Sequence, residues 1–79
     1  MVPAMTFGEA SHDVIGKVGR VSGRVAKDTI GEIMLPVRGG VEAFYAYPAD
    51  PEEVIEAGAR AVVMDYEPPR TVTVARFDG

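Results

Sequence analysis

The valines of "VGRVSGRV", residues 18–25, do not keep to one parity: Val18 falls with Arg20, Ser22 and Arg24, whereas Val21 and Val25 fall on the odd set. Successive side chains of a β-strand point to opposite faces, so an apolar set that changes parity requires a one-residue slip in the pairing. Glycine is the residue that most often marks such a bulge or bend, and Gly19 and Gly23 interrupt the segment where one is needed. A small closed barrel demands a bent first strand, because that strand must pair with a different neighbour at each end. Gly19 or Gly23 is therefore expected to occupy a bulge.

The rest of the chain supplies the partners. "AKDT" at 26–29 is a turn, and beyond it Ile33, Leu35 and Val37 alternate with Glu32, Met34 and Pro36 as a second strand, in which Pro36 signals an edge. "RGG" at 38–40 turns the chain into "VEAFYAYP", a third strand rich in aromatics that ends at Pro48. A helical signal stands only at residues 50–58, where Asp50 can cap, Pro51 suits the first position, Glu53 completes a capping box and Gly58 stops the helix. "ARAVVMDYE" at 59–67 and the cleanly alternating "TVTVARF" at 71–77, joined by "PPR", make the fourth and fifth strands. Three strands, a short helix between strands three and four, and two further strands is the order of an all-β, five-stranded OB-fold barrel. An SH3-like barrel, the main rival, would carry its helical turn between the last two strands.

A chain of 79 residues forms one small domain, which buries only about 60% of the surface its unfolded chain exposes, so any catalytic cleft must be carved from very little core. Without cysteine it has neither disulfides nor thiolate metal sites. The domain is expected at 14–79, with 1–13, "MVPAMTFGEASHD", as a loosely ordered leader or membrane-proximal linker that lacks the basic start and apolar centre of a secretory signal. No apolar run approaches the roughly 20 residues that cross a bilayer. The chain itself is therefore expected to be soluble, with any membrane attachment made by segments outside it. Charge is uneven: five cations face four acids through Gly40, and three cations face eight acids after it. That balance disfavours a general polyphosphate binder.

Several residue groups invite a chemical role. Ser11, His12 and Asp13 have the side chains of a hydrolase triad, but three consecutive residues do not readily converge in space, and His12 is the only histidine. Glu52, Glu53 and Glu56 have the chemistry for a hard cation, yet acids at a helix start are favoured by its dipole, and no EF-hand loop is present. "GKVG" at 16–19 matches a short backbone-clamping pattern, but it runs into strand residues instead of joining helices, and Lys17 lacks the flanking residues of a Walker loop. No catalytic residue, cofactor or metal is expected. The alternative to an interaction module is a stand-alone barrel that binds single-stranded nucleic acid, with Tyr45 and Tyr47 stacking bases while Arg20, Arg24 and Arg38 meet phosphates. The acidic second half and the short loops "AKDT" and "EPPR" oppose it, so no nucleic acid is expected as a partner.

Taken in order, "IGKVGRV", "GEIMLPVRGG", "FYAY", "IEAGARAVVMDY" and "TVTV" resemble the C-terminal domain of NfeD-like proteins across residues 15–77. The resemblance implies an OB-type barrel that normally follows several transmembrane helices and, in longer members, a serine protease domain of the ClpP type. It also implies association with stomatin-like, SPFH-domain membrane proteins, and hence a non-enzymatic protein-interaction module working beside a membrane. "ADPEEVIEAG" is longer and more acidic than the link usual in that family.

For the partner surface, Ile33, Leu35 and Val37 claim the core and leave Met34 outside. On strand three the pattern is ambiguous, because Phe44 and Ala46 share a parity with the charged Glu42. The resemblance implies that Phe44 and Ala46 face inward, which turns Tyr45 and Tyr47 outward as partner-binding anchors beside Met34.

Overall fold

A computed structural model describes residues 14–78. The expected leader at 1–13 lies outside the described residues. Five strands follow one another: β1 (Val18–Gly23), β2 (Gly31–Val37), β3 (Gly40–Pro48), β4 (Arg60–Glu67) and β5 (Thr71–Arg76). They close in the spatial order β1-β2-β3-β5-β4. All pairings are antiparallel except β3 with β5, where Tyr45 through Pro48 run parallel to Thr71 through Val74. Order and closure are those of the expected OB-type barrel.

β1 changes neighbours along its length as closure requires. Val18, Gly19 and Arg20 pair with Val62, Ala61 and Arg60 of β4, while Arg20, Val21 and Gly23 pair with Met34, Ile33 and Glu32 of β2. The register slips between Val21 and Gly23, so the expected bulge falls at Gly23. Val18 is not part of the buried set. It points outward, half-buried opposite Val62, and the inward set is simply Gly19 and Val21, continued by Val25 beyond the strand.

Gly19 has a separate task. A methyl group there would fall on the Met34 carbonyl oxygen and lie 2.7 Å from Leu35 Cδ2, so β1 can cross from one neighbour to the other only where no side chain intervenes. Its opposite on β4 is Ala61, also small and wholly buried. Pro36 is likewise explained by this crossing: β1 has left β2 beyond Met34, so the edge that Pro36 signals is local to the end of β2.

The interior is filled. Val21 stands opposite Ile33, Ile33 opposite Phe44, Ala46 beside Val72 and Val63 opposite Val74, giving a continuous ring of inward residues through all five strands. Val14, Val25, Leu35 and Ile55 complete it.

The helix expected at 50–58 does not form. Its start is present in fragment: the Glu52 N–H donates to Asp50 Oδ1 at 2.9 Å and the Glu53 N–H to the Asp50 carbonyl at 2.9 Å, one turn and no more. The chain then extends so that Ile55 exchanges two backbone hydrogen bonds with Val25, each 2.9 Å, and becomes fully buried. A helix of two turns is marginal without an apolar stripe to dock. Pairing with Val25 satisfies the same backbone groups and buries Ile55 as well, so the tertiary contact overrides the cap. Gly58, at φ 97°, reverses the chain into β4 and donates its N–H to the Val21 carbonyl at 2.7 Å.

Candidate partner-binding site

Register alone fixes the outer face of β2 and β3. Because Ile33 opposes Phe44 with both inside, Glu32 must stand beside Tyr45, Met34 beside Ala43 and Pro36 beside Val41 with all of them outside. Phe44 and Ala46 do face the core, at 6% and 0% exposure, so the ambiguity of strand three resolves with the tyrosines outward. Tyr45 is 57% exposed and Tyr47 38%. Met34 is half-buried between Arg20 of β1 and Ala43 of β3.

The geometry adds residues that the sequence argument left out. Val41 is exposed on the same face, and Ile30, one step before the Gly31–Ala46 pair, is exposed in line with Tyr47. Ile30, Tyr47, Tyr45, Met34, Val41 and Pro36 thus form an apolar strip interrupted by Glu32. Val41 shares the outward parity of Tyr45 and Tyr47 within strand three, and alternation carried one step before β2 reaches Ile30. Met64 is also exposed, but it sits at the β4 irregularity between Val63 and Asp65, and β4 neighbours neither β2 nor β3.

Glu32 is held by the Ser22 hydroxyl, which donates to its Oε1 at 2.7 Å. At the other side of Tyr45 the Arg70 guanidinium donates to the Ala43 carbonyl at 2.8 Å and lies 3.4 Å from Glu42 Oε1. It also stands 5.5 Å above the Phe44 ring, whose edge meets Tyr66 in a T-shaped pair. Between these groups Glu32, Glu42, Ala43, Phe44, Tyr45 and Arg70 line a shallow depression of about 360 Å³.

The other candidate groups do not assemble. Ser11, His12 and Asp13 lie outside the described residues. Glu53 Oε1 accepts from the Arg76 N–H at 3.4 Å and Glu56 pairs with Arg24 at 3.4 Å, so two of the three acids at 52–56 face different partners. Among the described residues no group of three His, Cys, Asp or Glu could hold a metal ion. In "GKVG" the Gly16 N–H already donates to the Val63 carbonyl at 2.8 Å and the Lys17 N–H to the Val14 carbonyl at 3.0 Å, which removes the donors a phosphate cradle would use. Arg24 precedes β2 and Arg38 follows it, so the seven-residue strand holds them roughly 20 Å apart, and Arg38 lies at the far end from Tyr45 and Tyr47.

The model of the NfeD C-terminal domain matches residues 18–75, from the first residue of β1 to the penultimate residue of β5. The chain belongs to this family. Two solved structures share the fold. One is the soluble domain of the NfeD protein YuaF from Bacillus subtilis, with TM-score 0.75 and 23% identity over 98% of this chain and 87% of that one. The other is the soluble domain of a membrane protein implicated in regulation of membrane protease activity from Corynebacterium glutamicum, with TM-score 0.68 and 23% identity over 81% of this chain and 92% of that one. No curated protein matches the chain. In this NfeD domain the matched region contains every residue of the outer strip, and among the described residues no helix is long and apolar enough to cross a membrane.

Proposed function

We propose that this NfeD domain is a non-enzymatic interaction module which docks a stomatin-like, SPFH-domain protein beside a membrane, with Tyr45 and Tyr47 as anchors and Met34 next to them. The observation that carries this reading is the pair of exposed tyrosines on one open sheet face, with apolar neighbours on both flanks. Rigid aromatics with a polar tip are favoured interface anchors. The membrane setting is supported by the family match and by the Corynebacterium glutamicum relative, a membrane protein implicated in regulating membrane protease activity. In the full-length protein, segments beyond this chain would make the membrane attachment.

The double variant Tyr45→Ala, Tyr47→Ala tests it, compared with the parent for melting temperature and for capture of a co-encoded stomatin-like protein. Lost capture at unchanged melting temperature supports the site. Unchanged capture removes it, and collapse of the fold would return both tyrosines to a structural role. A nucleic-acid face is disfavoured where it would have to lie, because Glu32 and Glu42 flank Tyr45 and the nearest cation, Arg70, is paired with Glu42.

A further inference from the structure

The β2–β3 hairpin runs past the strands that flank it. β1 leaves β2 after Met34, and β5 joins β3 only from Tyr45 onward, so both edges of the hairpin tip are unpaired among the described residues. On the β2 side the residue facing the open edge is Pro36, which has no N–H to offer. On the β3 side the Tyr45 N–H donates to the Arg70 carbonyl, which sets the alternation: Tyr45, Ala43 and Val41 all turn their backbone groups toward the β5 side. Val41 therefore presents both an N–H and a carbonyl on an open edge, and Ala43 an N–H. The Ala43 carbonyl is occupied by the Arg70 guanidinium, whose 2.8 Å bond stands where a neighbouring strand would donate.

We propose that the β3 edge at Val41–Ala43 is a latent strand-pairing surface for a second copy of this chain, held closed by the Arg70 side chain. Antiparallel pairing of two such edges about a two-fold axis at Glu42 sets Val41 opposite Ala43 of the second copy, and the reverse, with four backbone hydrogen bonds. Two of those bonds need the Ala43 carbonyls that Arg70 occupies. Glu42 would stand directly opposite its own copy, and like charges so placed oppose pairing. Arg70 is well held in its post. Its carbonyl anchors Tyr45, its guanidinium covers Phe44, and the Tyr66 hydroxyl fixes the preceding turn by donating to the Pro69 carbonyl at 3.0 Å. This surface is independent of the tyrosine anchors proposed above.

The test is sedimentation velocity over a concentration series, with a thermal melt of each variant to confirm folding. Arg70→Met keeps the apolar stem over Phe44 but removes the donor, and Glu42→Gln removes the facing charges. The pair Arg70→Met, Glu42→Gln is expected to strengthen self-association by about tenfold or more, the scale of two regained backbone hydrogen bonds. Arg70→Lys, Glu42→Gln keeps a donor for Ala43 and is expected to sediment like the parent. Adding Val41→Pro to the associating pair removes the edge N–H and is expected to restore the parent's behaviour. Arg70→Met alone in high salt, which screens Glu42, opens the same edge by a second route should the pair melt early. Parent-like sedimentation of both opened forms, association that survives Val41→Pro, or equal association with Arg70→Lys overturns the proposal.

Discussion

Replacing Gly19 with alanine should be the most damaging single methyl addition in the barrel, and its size can be worked from the crossing of β1 over β2. The new carbon would clash with the Met34 carbonyl oxygen, lie 2.7 Å from Leu35 Cδ2 and 3.2 Å from Ile33 Cγ1. Leu35 and Ile33 are fully buried and have no room to turn aside, and the carbonyl is backbone. Overpacking a filled interior costs about 1–3 kcal/mol, and shifting β1 off β2 loosens a ladder hydrogen bond worth about 0.5–1.5 kcal/mol. The sum, about 1.5–4.5 kcal/mol, lowers the melting temperature by roughly 6–36 °C in a domain of this size. Gly40→Ala is the control, since nothing lies within 4 Å of the added carbon and Gly40 is not among the glycines with positive φ. Its stability should be unchanged or raised by about 0.4–1 kcal/mol through the unfolded chain. Urea titration followed by circular dichroism measures both. If Gly19→Ala and Gly40→Ala melt together, the close approach of β1 to β2 is not what requires glycine at position 19.

Three further outcomes are expected. Ile55→Ala should destabilise the domain by about 2–4 kcal/mol in the same titration, because a fully buried side chain is truncated. Gly58→Ala should cost about 1–2 kcal/mol, since an alanine would have to adopt φ 97°, and thermal melts against Gly40→Ala isolate that strain. Fluorescence titration with mixed-sequence single-stranded DNA and RNA should show no binding tighter than about 10⁻⁵ M at physiological salt, because few cations are placed to displace counterions; micromolar, salt-sensitive binding would restore the nucleic-acid reading.

Local patterns identified the barrel because each strand carries its own alternation and each turn its own residue types. Ile33 and Leu35 go inside, and the turns at 26–29, 38–39 and 68–70 fall where Asp, Gly and Pro place them; the bulge does fall on a glycine, Gly23, but the parity change at Val18 does not account for it, since Val18 faces outward. What escaped was decided between segments distant in sequence. Asp50, Pro51 and Glu53 do begin a turn, but Val25 lies thirty residues from Ile55 and nothing in either stretch announces that they pair. The place of Val18 is hidden for a related reason: its half-buried outer position depends on Val62 of β4. Of the proposed site, parity located Met34, while Tyr45 and Tyr47 were ambiguous because Glu42 shares the inward parity of Phe44. Glu42 is tolerated there because β3 has already passed the barrel rim, where the carboxylate meets Arg70 in solvent.

The way the interior is filled bears on where function can lie. A five-stranded barrel has no room for a ligand once Ile33, Leu35, Phe44, Val63, Val72 and Val74 point into it. Its turns at 26–29 and 68–70 are too short to fold over a substrate, whereas barrels that embrace oligonucleotides carry longer loops at these two places, and the longer connection at 49–59 is tied to the barrel by the Ile55–Val25 backbone pair. The sheet's outer surface and its open edges remain. Both are concentrated on β3, whose outward residues carry the tyrosines and whose first half lacks a β5 neighbour. Tyr45 stands at the boundary between them: its side chain belongs to the open face and its N–H is the first to pair with the β4–β5 turn through Arg70. Substituting Tyr45 with alanine leaves that backbone bond in place, so the two surfaces can be tested separately on one strand. Loss of partner capture without a change in self-association assigns the tyrosine face, whereas Arg70→Met, Glu42→Gln should raise self-association and leave capture intact if the edge is the second surface.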